Sequence, residues 1–231
     1  MTGKIMSKYF EDKLYEIETK FLVKDEKALA VLESFKSIAG LELKSTKDIK
    51  IHDIYFETPD FYLIKEWYAY RFRQKDDQYH VAFKHKLGVS GDSTHVVEEV
   101  EEKISEDQVS DLLNHKLQIR PFLETKKIID PEKLTEKIEV DNFRKIFVYC
   151  DDKDNCIELA FDNIMSKAKG IELREKELEI EAQGIEKDVY NKFIEQIKTK
   201  IPGLEPTEHG KIERLIMHMG EKVKDMKYMQ L

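Results

Sequence analysis

Three charged residues near the N-terminus, Glu16, Glu18 and Lys20, alternate along one short segment. Successive side chains of a β-strand point to opposite faces, so these three would share one face and Ile17 and Thr19 the other. If the charged face is enclosed, two carboxylates and an ammonium suit a divalent cation together with an anionic ligand. If it faces solvent, the same pattern is an ordinary strand with a ladder of Glu and Lys. The other charged segments must decide between these interpretations.

Pairs of like cations recur further along the chain. Arg71 and Arg73 alternate in one strand-like segment, and Lys84 and Lys86 alternate in the next. Like charges placed opposite each other across a strand pair destabilise it. A bound polyanion would relieve the repulsion, because Arg makes bidentate phosphate contacts and Lys supplies a compact charge. These two segments therefore indicate a polyphosphate site.

Acidic residues alternate in the same way in the remaining segments. Glu99 and Glu101 share one face of residues 97–103, while Glu98 and Glu102 offer the opposite register. Magnesium in proteins typically uses one or two carboxylates, substrate phosphate oxygens and water. The acidic and basic segments therefore converge on one ligand, a metal-chelated polyphosphate. Five further residues complete the charged set: Arg144, Asp162, Glu177, Glu179 and Glu181.

The pattern of apolar residues and turns predicts an α+β fold. Eight strands, mostly antiparallel, are about the number that can close a barrel with a fillable interior, and we expect the helices to pack outside it. Leu215, Met217 and Met219 are expected to fill the core beneath the last helix. The predicted strands are 14–23, 49–57, 67–75, 78–87, 95–104, 143–149, 156–164 and 174–182. The predicted helices are 24–38, 105–117 behind a Ser105–Gln108 capping box, 186–201 and 208–226, followed by a frayed tail at 227–231.

Composition excludes several classes of protein. The chain has 231 residues, of which 41% are hydrophobic and 37% charged, as expected for a charge-rich globular protein. No apolar run approaches the roughly 18 residues of a membrane span, and the first residues lack an apolar signal core, so we expect a cytoplasmic protein. A formal net charge of -8 argues against a nucleic-acid surface. It does not exclude a local basic site.

The cysteines and histidines contribute little to the predicted site. Cys150 and Cys156 flank a predicted turn, and a reduced pair is favoured over a disulfide because cytosolic thiols are kept reduced. Neither cysteine has a partner at zinc-binding spacing. His80 and His85 are spaced unsuitably for joint ligation, so we interpret them as surface or packing groups.

In their order and spacing, these motifs resemble the CYTH superfamily, the triphosphate tunnel metalloenzymes. Glu16-x-Glu18-x-Lys20 looks like the family signature, and residues 53–60 are similar to its Tyr-Phe-Asp-Thr-Pro segment. The resemblance covers residues 14–215 of a single domain spanning 1–231. The later strands of the family are matched by Arg71-x-Arg73, Lys84 or Lys86, Glu99-x-Glu101, residues 157–162 and residues 177–181.

The resemblance implies an eight-stranded antiparallel tunnel that binds a triphosphate and two divalent cations, Mg²⁺ or Mn²⁺. Two departures stand out, since Val97 occupies a position that is often basic and Gly210-Lys211 replaces a Ser-Lys pair. The implied metal ligands are Glu16, Glu18, Asp162, Glu177, Glu179 and Glu181. The implied triphosphate ligands are Arg71, Arg73, Lys84, Lys86, Arg144 and Lys211, and the implied catalytic residues are Lys20, Glu99 and Glu101.

The sequence favours metal-dependent hydrolysis of a small-molecule triphosphate, such as inorganic tripolyphosphate, thiamine triphosphate or a nucleoside triphosphate. The same walls would serve a class IV-type adenylate cyclase, but no adenine-reading motif is present. A non-catalytic polyphosphate-binding module would have little use for so many carboxylates. A solvated β-domain without a ligand is the remaining alternative, and the oligomeric state is open between monomer and homodimer.

Overall fold

The computed structural model describes residues 14–89 and 94–220. None of the helices in these two stretches has the length and apolar character needed to cross a membrane. The elements in chain order are β1 (Leu14–Val23), α1 (Ala28–Ser34), β2 (Ser37–Ile38), β3 (Leu41–Glu57), α2 (Tyr62–Lys65), β4 (Tyr68–Lys75), β5 (Gln78–Val89), β6 (Thr94–Ile104), α3 (Val109–Leu113), α4 (Arg120–Ile128), β7 (Glu136–Cys150), β8 (Cys156–Ala168), β9 (Ile171–Gln183), α5 (Lys187–Lys200), β10 (Leu204–Pro206) and α6 (Lys211–His218).

Eight of the strands close into an antiparallel barrel, which confirms the predicted architecture. Their order around the barrel is β1-β6-β5-β4-β3-β7-β8-β9, and β9 pairs back onto β1. The two short strands are additions, since β2 pairs with β3 and β10 pairs with β1. Closure removes the unpaired edges that an open sheet would expose, and alternation along every strand separates an inner from an outer face.

The outer faces carry the larger apolar cores. One core lies between α5 and the strands β1, β8 and β9, where Tyr190 and Phe193 pack against Phe21, Leu178 and Ile180. A second core lies beneath α3 and α4 on the outer faces of β3 to β6. Because apolar residues occupy one face of these strands, the opposite face is left for the charged residues.

Helix α6 packs across one end of the barrel. Its Ile212 and Leu215 side chains are buried against inward-facing residues such as Tyr55. Leu215 fills the core as predicted, and Met219 packs at the edge of the same cluster. The expectation for Met217 is wrong, because this residue points away from the cluster and is 43% exposed.

Two predicted helix boundaries were wrong because local turns end the helices early. The first helix stops at Ser34 instead of residue 38, since the Ala39-Gly40 turn, with φ of 54° and 86°, folds Ser37–Ile38 back onto β3. The helix predicted over 105–117 is a 3₁₀ turn, Glu106–Gln108, followed by α3. Its Ser105–Gln108 capping box is present.

Other elements differ in extent. Strands β3 and β7 start earlier than predicted because they pair with each other through polar stretches that lack alternation, and α4 and the 3₁₀ turn Pro131–Lys133 were not predicted. The last helix runs from Lys211 to His218 instead of from residue 208. Residues 221–226 of the predicted helix and the tail at 227–231 lie outside the described residues.

The two cysteines form a disulfide, so the expectation of a reduced pair is wrong in this structure. Cys150 ends β7, Cys156 begins β8, and the two residues are direct cross-strand partners in the hairpin. The antiparallel register brings both side chains to the same face, which the spacing in the sequence left undecided.

Packing of α5 predicts the effect of one core substitution. Phe193 is fully buried and meets the Tyr149 ring edge-on, so Phe193→Ala should leave a cavity and lower the free energy of unfolding by about 3–5 kcal/mol. Phe143→Ala is the matched control, because Phe143 is 58% exposed on the outer wall, and it should cost less than about 1 kcal/mol. Urea unfolding measures both variants, and equal losses would contradict the packing described.

Candidate functional site

The inner faces of the barrel strands enclose a cavity of about 570 Å³. Because charged residues occupy alternate positions along these strands, their side chains share the inner face and line the cavity. Twelve of the fifteen predicted residues line it: Glu18, Lys20, Arg71, Arg73, Lys84, Lys86, Glu99, Glu101, Arg144, Glu179, Glu181 and Lys211.

The other three predicted residues have different positions. Asp162 and Glu177 are fully buried next to Glu179. Glu16 belongs to β1, opposite Val97, but its side chain lies outside the described residues. Of the two acidic registers of β6, the inward one contains Glu99 and Glu101.

Lys20 lies at the junction of β1 and β9, where it joins two carboxylates. Its Nζ is 2.8 Å from Glu18 Oε1 and 3.0 Å from Glu179 Oε1. Burial alone would lower the pKa of this ammonium, but Glu179 and Glu18 outweigh burial and raise the pKa well above its usual value. Lys20 is therefore a permanent cation that fixes both carboxylates.

A compact acidic cluster adjoins Lys20. One carboxylate oxygen from each of Asp162, Glu177 and Glu179 lies within 4.8 Å of the others, and all three residues are buried. Burial raises the pKa of Glu177, and repulsion from Glu179 adds to this effect. Arg214 on α6 pairs with Glu177 Oε2 at 2.6 Å, whereas Glu177 Oε1 has no hydrogen-bonding partner within the described residues. An unpartnered buried carboxylate oxygen beside two other carboxylates fits a hard divalent cation.

Two arginines of the cavity are held in bidentate ion pairs. Arg73 donates from Nε and Nη2 to the two oxygens of Asp53, at 2.7 and 2.8 Å. Arg144 makes the same contact with Asp162, at 2.7 and 2.6 Å, and also pairs with Glu179. Burial raises the pKa of Asp53, but Arg73 and Arg71 more than reverse this and hold it well below its usual range. Both guanidinium planes are therefore fixed.

A third group of charges joins β4, β5 and β6. Lys84 Nζ lies 2.8 Å from Glu99 Oε2, and Arg71 Nη2 lies 3.5 Å from both Glu99 Oε1 and Glu101 Oε2. Glu99 is 6% exposed and Arg71 is 5% exposed. A single carboxylate is thus shared between two cations from neighbouring strands, and its contact with Arg71 is long.

Helix α6 contributes charges at the closed end of the cavity. Lys86 Nζ donates to Glu213 Oε2 at 2.7 Å and to the Glu208 carbonyl at 2.9 Å, so it binds the segment around the start of α6. Burial lowers the pKa of Lys86 in spite of Glu213. Lys211, the first residue of α6, has its Nζ 3.9 Å from Asp162 Oδ2 and faces the cavity.

Asp53 and His95 belong to the site but were not predicted from the sequence. Asp53 alternates with Tyr55 opposite Arg73 and Arg71, and that register could have revealed it. His95 lines the cavity and its Nε2 lies 3.1 Å from the Thr207 carbonyl, a contact between residues distant in sequence that left no signal.

His95 is a neutral imidazole. Burial, reinforced by Lys20 and Lys86, lowers the pKa of His95 to about 2. Because a carbonyl only accepts, Nε2 carries the proton that is donated to Thr207. Of the two histidines considered from sequence, His85 stacks on an aromatic ring as a packing group, and Nδ1 of His80 lies 3.0 Å from Glu101 Oε1.

Glu57, in the segment 53–60, has a structural role. Glu57 accepts hydrogen bonds from the backbone N–H groups of Thr58, Leu63 and Ile64, which lie at the start of α2 and in the turn before it. Burial raises the pKa of Glu57 to about 7. This carboxylate fixes the turn between β3 and β4 and does not reach the cavity.

Comparison with known proteins agrees with this architecture. The CYTH domain family model matches residues 14–216. The putative adenylyl cyclase HpAC1 from Hippeastrum, described as having a dominant triphosphatase activity, shares 20% identity over 90% of this chain and 97% of its own, with a TM-score of 0.59. A putative adenylate cyclase from Bacillus halodurans shares 21% identity over 87% and 97% of the two chains, with a TM-score of 0.58.

At these identities the two structures establish a shared fold. No curated protein matches the sequence. The family match extends over the whole barrel and so includes every strand that lines the cavity. The chain therefore belongs to the CYTH domain family.

Proposed function

We propose that this protein hydrolyses a small-molecule triphosphate with the help of divalent cations. The observation that carries the proposal is the enclosed cavity, whose walls combine nine Lys and Arg residues with seven glutamates. Cations alone would suit any polyanion, and carboxylates alone would suit a metal. Both together suit a polyphosphate chelated to a metal. The dominant triphosphatase activity described for HpAC1, a protein of the same fold, is consistent with this chemistry.

Asp162, Glu177 and Glu179 are the residues that would hold a cation, which we propose to be Mg²⁺ or Mn²⁺. Their oxygens meet within 4.8 Å, and oxygen donors are those that hard cations prefer. Glu18 and Glu181 line the adjoining wall and are proposed as ligands of a second cation, together with Glu16. When bound, such cations neutralise charge on the phosphates and lower the barrier to attack by water.

The remaining residues act by positioning and by charge. Phosphoryl transfer depends mainly on holding the phosphates and neutralising their charge, and the arginines and lysines of the walls supply donors from several strands. Arg73 and Arg144 offer fixed guanidinium groups, and Lys211 offers an ammonium that no short ion pair within the described residues holds. We propose that Glu99 or Glu101 accepts the proton of the attacking water.

Lys20 is proposed to keep Glu18 and Glu179 oriented toward the cations and to offset charge on the leaving group. Lys86 remains a proposed phosphate ligand, although in this structure its ammonium binds the start of α6. A cytoplasmic location and a single domain over residues 1–231 complete the proposal.

The activity is tested by supplying candidate substrates. The purified protein is incubated with Mg²⁺ or Mn²⁺ and with tripolyphosphate, thiamine triphosphate or ATP in turn, and orthophosphate is measured. We expect release of orthophosphate from at least one of them and its loss in EDTA, because the attack of water needs a cation to neutralise charge on the phosphates.

The other outcomes separate the alternatives. Cyclic AMP with pyrophosphate would identify an adenylate cyclase instead. Tight binding of all three compounds without turnover under both metals would identify a binding module and contradict hydrolysis.

The proposed metal cluster predicts the effect of a single substitution. Glu179→Gln replaces one oxygen donor with an amide nitrogen and should lower kcat by about 100-fold or more, since charge stabilisation in the transition state is lost. Glu172→Gln is the matched control, because Glu172 lies on the same strand, pairs with Arg174 and is exposed. The control should keep its activity. Equal activities of the two variants at saturating Mg²⁺ would remove Glu179 from the metal site.

A further inference from the structure

The cationic side chains of the cavity differ in how closely carboxylates bind them. Asp53 satisfies two donors of Arg73 at 2.7 and 2.8 Å, and Asp162 satisfies two donors of Arg144 at 2.7 and 2.6 Å. Such bidentate contacts are short and geometrically specific, so an incoming anion would gain little by displacing them. These carboxylates serve as fixed supports.

Arg71 is held differently. Its Nη2 lies 3.5 Å from an oxygen of Glu99 and 3.5 Å from an oxygen of Glu101, and its buried Nε has no hydrogen-bonding partner within residues 14–89 and 94–220. An arginine offers five N–H donors, and a buried donor without an acceptor is destabilising. Arg71 therefore has donor capacity that its protein partners do not use.

Glu99 links this arginine to a second cation. Its Oε2 lies 2.8 Å from Lys84 Nζ, while its Oε1 is the distant partner of Arg71. The register explains the arrangement, since Lys84 faces Glu99 across β5 and β6, and Ala82, a small residue, separates Arg71 from Glu101. One carboxylate thus offsets the repulsion between two cations that would otherwise stand together in a buried wall.

We propose that Glu99 is an internal competitor for the substrate, occupying the anion position between Arg71 and Lys84 that a phosphoryl group takes over. The proposal rests on the proposed function for the identity of the ligand, a triphosphate. A phosphoryl group carries more charge than a carboxylate and presents three oxygens, so it can satisfy the unused donors of Arg71 as well as Lys84. Binding then releases the Glu99 carboxylate into the cavity beside the bound phosphate. The carboxylate proposed to accept a proton is thereby freed only when substrate is present.

The exchange is tested by binding in the absence of metal and turnover. Tripolyphosphate is titrated into the full chain in EDTA by calorimetry, for the unmodified protein and for Glu99→Gln. The amide keeps the shape of the side chain but competes weakly for Arg71 and Lys84, so Kd should fall about tenfold, equivalent to about 1.4 kcal/mol. Thermal melting checks that both proteins are folded at the titration temperature.

Two control variants remove the same charge from other places on the wall. Asp53→Asn removes the support of Arg73 and should leave Kd unchanged or weaken binding, and Glu101→Gln, at an exposed carboxylate whose contact with Arg71 is long, should change Kd by less than about threefold. Equal tightening by all three variants would show a general charge effect and overturn the exchange. Unchanged or weaker binding by Glu99→Gln, including no binding by either protein, would overturn it too. Tightening as expected in a protein that hydrolyses no triphosphate would count against the proposed function alone.

Discussion

The structure depends on charge pairing across the inner faces of a closed barrel. Closure puts many cations and carboxylates into one enclosed space, where an unpaired charge is far more costly than at the surface. The register of the strands meets this constraint by placing cations beside carboxylates of neighbouring strands or of α6. The pairs Arg73 with Asp53 and Arg144 with Asp162 are examples. An interior arranged in this way offsets its own charges and suits the proposed ligand, a metal-bound polyphosphate.

The apolar packing around the barrel determines which strand faces point into the cavity. The outer faces of the strands bury the larger apolar residues under α1, α3, α4 and α5, and this fixes which face of each strand is charged. At one end, α6 seals the cavity with apolar residues and adds Lys211 and Glu213 to its walls. Ion pairs of Lys86 with Glu213 and of Arg214 with Glu177 bind this helix to the barrel, so the closure of the cavity is linked to its charged residues.

Much of this site followed from the sequence, because a period of two residues reports which side chains share a face of a strand. That rule correctly predicted that Arg71 and Arg73 share one face of their strand and that Lys84 and Lys86 share one face of theirs. Eight such strands implied a barrel. What the rule lacks is the identity of the neighbouring strand. The position of Asp53 opposite Arg73 and the pairing of Cys150 with Cys156 both depend on which strands are neighbours. Asp53 was therefore not predicted as a site residue, and the cysteines were wrongly predicted to be reduced.

Helices and loops were harder for a related reason. His95 and α6 join the site through contacts between distant segments, and α4 is short and has no side-chain N-cap. Glu57 was interpreted as part of a family motif. In the structure it accepts hydrogen bonds from backbone N–H groups at the start of α2. The contacts seen in the structure define the role of each of these residues.

The enclosed cavity is proposed to bind a triphosphate and its metal together. A crystal structure of the protein with tripolyphosphate and Mn²⁺, with the ion located by its anomalous scattering, is the decisive test. Mn²⁺ should lie among the carboxylates of Asp162, Glu177 and Glu179, with phosphoryl oxygens in contact with Arg71 and Lys84. Tripolyphosphate bound outside the barrel, or Mn²⁺ bound away from this cluster at saturating concentration, would contradict it.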